Sequence, residues 1–200
     1  LVVVMDSRGR RHVVETQRAQ RGKRIERIQT RIEGEENVTQ AVPAPVGSGL
    51  GESVFTFPPT AFWQAHTSAP ATYCGYIAKW AHDTYVRPIG WDLYGGVGLF
   101  VPQISEALGT GAQVVSVDYS AAATRSKQPV LEHFDVEVRN QKVEASIDAL
   151  PDPGLVVLDP PRTGAGEEVV KAVAAREPQR VIHIGCDPAT FARDLFAWGE

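Results

Sequence analysis

Cys186 stands between a buried-looking strand, residues 180–185, and Asp187-Pro188-Ala189-Thr190, which reads as the start of a helix. Asp187 is a good N-cap and Pro188 a good first helical residue. The partial positive charge of a helix amino terminus favours thiolate over thiol, which would make Cys186 a nucleophile. The alternative is a small buried core residue, the commoner fate of a lone cysteine. Asp159-Pro160-Pro161-Arg162 leaves the preceding strand. Its two prolines hold the backbone extended, so Asp159 and the nearby carbonyls are aimed. Asp92-Leu93-Tyr94-Gly95-Gly96-Val97-Gly98 closes a strand and opens a helix, and Asp118 follows Gly98 by twenty residues. Glycines there allow a tight turn and close approach to a ligand, and an acid at the end of the next strand can accept hydrogen bonds from a ribose diol. Turn and acid together read as a site for an adenosine-bearing cofactor, against the alternative of a strand-to-helix turn that binds nothing. The dinucleotide pattern G-x-G-x-x-G lacks its third glycine, because Gly96 is followed by V-G-L-F-V. With Asp92 ahead of the glycines, S-adenosylmethionine fits better than a nicotinamide dinucleotide.

The elements that must position these residues alternate. Strands are expected at 89–94, 114–118, 136–140, 155–159 and 180–185. Helices are expected over about 69–84, up to about Leu108, from near Ser120, over 167–176 and from Pro188. Cys74 falls within the first helix and is assigned to packing. Phe191, Leu195 and Trp198 are expected to line the buried face of the last. This order predicts an α/β fold: a doubly wound, mostly parallel sheet that binds ligands at the carboxyl ends of its strands. Ahead of it, LVVVMD reads as a strand, SRGR as a turn and HVVET as the hairpin partner. Residues 17–40 have no clear period, 41–53 read as a loop rich in Pro, Gly and Ser, and VFTFPP as a short strand. The expected division is a β-rich segment over residues 1–60 and a cofactor-binding domain over 61–200.

The 200 residues are 43% hydrophobic and 22% charged, near the globular average, which excludes a disordered tail, a fibre and a disulfide mini-protein. No apolar stretch is long enough to span a membrane, and the apolar-then-basic start is the reverse of a secretion signal. Two cysteines make no metal cluster by themselves and fit a reducing compartment, so a cytoplasmic protein without a metal in this chain is expected. Residues 1–31 hold nine basic and three acidic side chains, about +6, against about −10 for the rest of a chain with net charge −4. A polyanion could dock at that end, but charge alone favours a solvated ribbon.

These residues resemble those of the S-adenosylmethionine-dependent RNA uracil-C5 methyltransferases, which form 5-methyluridine in tRNA or ribosomal RNA. The likeness covers about residues 55–200. It rests on Phe62-Trp63-Gln64-Ala65-His66, on 92–100, on Asp118-Tyr119-Ser120, on Asp159-Pro160-Pro161-Arg162 and on Cys186-Asp187-Pro188-Ala189-Thr190. The resemblance implies a Rossmann-like (class I methyltransferase) domain. It implies cofactor contacts at Gln64, Tyr94, Gly96, Asp118 and Asp159, a nucleophile at Cys186, and RNA as partner. It also implies that the family continues past Glu200 into further strands bearing a glutamate base, so this chain is expected to be incomplete at its carboxyl end and unable to finish methyl transfer alone. The sequence departs from the pattern at Gly95, where many members have Cys, at Leu99, and at Lys142, which stands about where an acid is usual. The competing readings are a methyltransferase acting on another base or a small molecule, and a module that binds cofactor or RNA without turnover.

Overall fold

The computed structural model describes residues 1–21, 24–120 and 127–199. Five parallel strands form the central sheet: β6 (Ile89–Leu93), β7 (Gln113–Val117), β8 (Val136–Arg139), β9 (Leu155–Leu158) and β10 (Arg180–His183). Their spatial order is β10-β9-β6-β7-β8, with β6 central. The chain therefore moves outward from β6 to one edge and then back to build the other. Such a reversal opens a crevice at the carboxyl ends of β6 and its neighbours.

Residue type explains the layering. Leu155, Val156, Val157 and Leu158 are all fully buried, as an interior parallel strand covered on both faces requires. Helices α1 (Ala69–Trp80) and α2 (Val101–Leu108) cover one face, and α3 (Val143–Ser146), α4 (Glu167–Ala174) and α5 (Pro188–Trp198) the other. One apolar cluster joins Ile77, Ile104, Val114, Leu155 and Val157. The second joins Trp91, Leu93, Val115, Val156 and Val170.

The amino-terminal part is three antiparallel strands, β1 (Val2–Met5), β2 (Arg11–Arg21) and β3 (Arg24–Glu33), followed by the ribbon of β4 (Val38–Pro43) and β5 (Glu52–Phe57). The β1–β2 turn closes on the enclosed Asp6, which accepts from the backbone N–H of Arg8 and Arg10 and from the Arg10 guanidinium. Strand β2 is longer than the expected 12–16, and most of 17–40 proves to be strand. These residues carry no apolar alternation because both faces of the hairpin are largely wet, and the backbone ladder holds it instead.

Two expectations change elsewhere. The first helix ends at Trp80, because the backbone leaves helical pairing with Ala81 as the cap, four residues short of the expected end. On α5 the buried positions are Asp194 and Ala197, while Leu195 is 50% exposed. The helix turns its 191/194/198 side to the sheet, and Leu195 falls a quarter-turn off that side. The helix expected from near Ser120 falls on residues outside those described.

Candidate active site

The glycine turn is held from the second strand. Asp118 Oδ2 accepts the Gly96 N–H at 3.0 Å, and its other oxygen accepts from the Ser120 N–H. Gly96 and Gly98 have φ of 58° and 85°, the left-handed region that glycine enters without a Cβ clash. A pocket of about 360 Å³ opens beside them, lined by Gly96, Gly98, Ser116, Leu131, Phe134 and Val136 among others. Its lining mixes apolar side chains such as Leu131, Phe134 and Val136 with a few polar ones, Ser116 and Gln128 among them, which suits a flat heteroaromatic ring.

Asp92 lies beneath this turn and is 1% exposed. Its Oδ2 accepts from Ser116 Oγ at 2.9 Å, and its Oδ1 has no partner. Burial pushes its carboxyl up to about 7, with the charges of Asp118 and Asp159 adding to the rise. Gly95 closes the lid over it: a Cβ there would meet Asp92 Oδ2 at 2.2 Å and Ser116 Oγ at 2.4 Å. The departure at Gly95 is thus enforced by Asp92 in this chain.

Asp159 emerges from β9 next to β6, its N–H bonded to Leu93 O. Gln64 reaches it from the segment after β5, Nε2 donating to Asp159 Oδ2 at 2.9 Å. Burial raises Asp159 to about 6 against this bond. Three carboxylates therefore share one end of the sheet, two of them held up by burial. That donor set fits a ligand carrying positive charge and a diol, as S-adenosylmethionine does.

Tyr94 takes a different course. Its φ is 61° and its side chain packs against the cluster around Trp91, with the hydroxyl buried and unpartnered. It does not line the pocket beside Gly96. Lys142 caps α3, with its ammonium 5.8 Å from the centre of the exposed Tyr119 ring.

Cys186 is exposed, past the end of β10 and immediately before α5. The residue after it caps that helix. Asp187 accepts from the N–H groups of Ala189 and Thr190, and its carbonyl accepts from that of Phe191. The cap acid thereby satisfies the helix end. Cys74 is buried in α1, 3.9 Å from Leu99 O, and burial together with the charge of Asp92 pushes its thiol up to about 12.

Comparison with known proteins bears on this geometry. No family model matches the chain. It is 45% identical over 99% of its length to an RNA methyltransferase of Corynebacterium efficiens, of which it covers 46%. It is also 45% identical to one of Corynebacterium glutamicum and 42% identical to one of Corynebacterium diphtheriae, covering 47% and 48% of them. The chain is a relative of these RNA methyltransferases. It spans about half the length of the curated relatives it matches. In fold it is similar to a tRNA (uracil-54, C5)-methyltransferase of Pyrococcus abyssi in complex with S-adenosyl-L-homocysteine, with TM-score 0.62 and 20% identity over 92% of this chain and 44% of that one. The Rossmann-like architecture is common to both.

For a methyltransferase relative, one feature of the site lay outside the sequence reading. Asp194 is 1% exposed and accepts from the N–H of Ala165 and of Gly166, at 2.7 and 3.2 Å. Thr190 Oγ1 donates to Arg162 O and Arg193 to Thr163 O. Helix α5 thereby clasps the loop that follows Asp159, and binds the aspartate loop and the cysteine turn into one piece. The signal was an acid three residues after Phe191, on the side of α5 otherwise read as apolar.

Proposed function

We propose that this chain carries the cofactor site and the nucleophile of an RNA uracil-C5 methyltransferase. The observation that supports it most is the convergence of Asp92, Asp118 and Gln64-bonded Asp159 around a glycine turn, with an exposed cysteine at the end of the adjacent strand. The relatives named RNA methyltransferase and the fold neighbour, a tRNA (uracil-54, C5)-methyltransferase, support the same reading. Gly96, Asp118, Asp159 and Gln64 would hold S-adenosylmethionine, with Asp118 on the ribose. The bound cofactor supplies an electrophilic methyl group.

Cys186 supplies what uracil lacks. C5 of uracil is a poor nucleophile. Addition of the Cys186 thiolate to C6 forms a C6–S bond and moves the ring electrons toward O4, so that C5 becomes an enolate carbon able to take a methyl group. Removal of the C5 proton returns those electrons, breaks the C6–S bond and frees the thiolate. The base must leave any stack to meet the thiol. The proton acceptor is proposed to lie in the half of the relatives that this chain does not span. Residues 1–60 are proposed as part of a neighbouring β-rich domain in a cytoplasmic protein.

The test is intact-mass measurement of the full-length protein mixed with S-adenosylmethionine and 5-fluorouridine RNA. A covalent protein–RNA adduct is expected, and Cys186→Ala should abolish it. Steady methylation by Cys186→Ala would overturn the reading.

A further inference from the structure

Charge alone favoured a solvated ribbon for the basic amino-terminal end; the register of the β2–β3 hairpin sorts that charge by face. Directly paired residues of an antiparallel ladder share a face, and side chains along a strand alternate. Val14 pairs with Arg31 and Thr16 with Gln29, and Arg18 follows on the same face of β2. Glu15 pairs with Thr30 on the other face. At its root the first face packs inward, Val14 being 6% exposed. At its middle Gln29 accepts from Thr60 Oγ1 at 3.4 Å. Thr60 lies four residues before Gln64, which bonds Asp159. The arm's inner face therefore looks onto the segment that reaches the candidate site. Gln64 also lines a groove of about 1330 Å³ whose walls include Arg8 and Gly9.

The arginines on this face are not neutralised. Arg10 is paired with Asp6 and Glu35, and Arg11 with Glu33. Arg18 and Arg31 are exposed, and neither has an ion-pair partner among the described residues. Cations left unpaired on one wet face of a hairpin, in a chain otherwise about −10, steer a polyanion to that face and away from the rest.

We infer that the inner face of the β2–β3 arm, through Arg18 and Arg31, holds the sugar–phosphate backbone of the RNA whose base is methylated. This rests on the RNA methyltransferase reading above. Two phosphate contacts set the expected effect. Anisotropy titration of the full-length protein with a uridine-bearing RNA stem-loop, across a series of KCl concentrations, reads it. Arg18→Ala/Arg31→Ala should bind about tenfold more weakly at low salt, with the log–log salt slope smaller by about 1.5–2. Its affinity for S-adenosylhomocysteine should match wild type, as should RNA binding by Glu15→Gln on the opposite face. Arg18→Lys/Arg31→Lys should keep the slope. If wild type methylates RNA and the alanine pair binds it with unchanged affinity and slope, the arm is not the docking face, and the enzymatic reading stands. Loss of slope in the lysine pair, or binding to anionic lipid vesicles as tight as to RNA, likewise overturns the assignment. If wild type neither binds nor methylates RNA, both fall.

Discussion

Cys186 and Cys74 are separated by exposure. One is open to solvent, and burial pushes the other up to about 12. Iodoacetamide at pH 8, read by peptide mass spectrometry, should label Cys186 in the native protein and leave Cys74 unmodified until unfolding. Comparable labelling of both would contradict the packing described for α1. The carboxylates give a second residue-scale prediction. Asp92, at about 7, and Asp159, at about 6, hold protons that a cationic ligand displaces. A ligand that favours the charged form binds more tightly as pH rises through these values. Affinity for S-adenosylmethionine, measured by calorimetry, should climb by about tenfold or more between pH 5 and 7. Asp159→Asn should flatten the climb. A flat profile in wild type would place the ligand away from these acids. The types and spacing of Gly96, Asp118 and Asp159 were legible because a turn and its strand-end acids are local patterns. The enclosure of Asp92 was not, since it depends on Ser116 and Gly95 folding over it.

At the scale of elements, α5 does more than cover the sheet. Burial alone would raise the Asp194 carboxyl, but the N–H groups of Ala165 and Gly166 and the Arg193 guanidinium outweigh it and hold it below the usual range. The loop from Asp159 to Gly166 is thereby tied to the helix that starts beside Cys186. Gly164, with φ of 80°, lies so close that a Cβ would meet Asp194 Oδ2 at 2.6 Å. Asp194→Ala leaves the buried Ala165 N–H and the part-buried Gly166 N–H without their acceptor and should destabilise the protein by about 1–3 kcal/mol in urea unfolding. It should also raise hydrogen exchange over 162–166. Unchanged exchange there would show that the prolines alone hold the loop. The β/α alternation from residue 89 was readable because each buried strand is a short apolar run between breakers. The β2–β3 hairpin was not, because its residues answer to a backbone ladder and to water on both sides, and hydropathy records neither. Leu195 was misplaced for a related reason. Its apolar character pointed inward, while the buried polar bonds of Asp194 decided which side of the helix faces the sheet.

Across the whole molecule, the apolar core does not stop at the expected division near residue 60. Phe55 and Phe57 are fully buried in the cluster that also holds Ile104, Leu155 and Val157. Trp63 joins them from the far side of Pro58 and Pro59, its ring 5.0 Å from Phe57 and 5.9 Å from Phe55. Gln64 is the next residue, so the packing of the β4–β5 ribbon fixes where that amide can reach Asp159. Gln128 extends the link, exchanging hydrogen bonds with the backbone of Thr56 from the segment that lines the glycine-turn pocket. Truncating a ring in this shared core should therefore be felt at both ends of it. Phe57→Ala removes a fully buried aromatic side chain and should cost about 3–5 kcal/mol. Because the cluster is continuous, protection against hydrogen exchange should fall together in β4–β5 and in β7 and β9, and S-adenosylmethionine affinity should drop with the loosened Gln64. Loss confined to β4–β5, with the central sheet and cofactor binding untouched, would mean that the ribbon opens as a separate unit and that Gln64 is positioned from the sheet side alone.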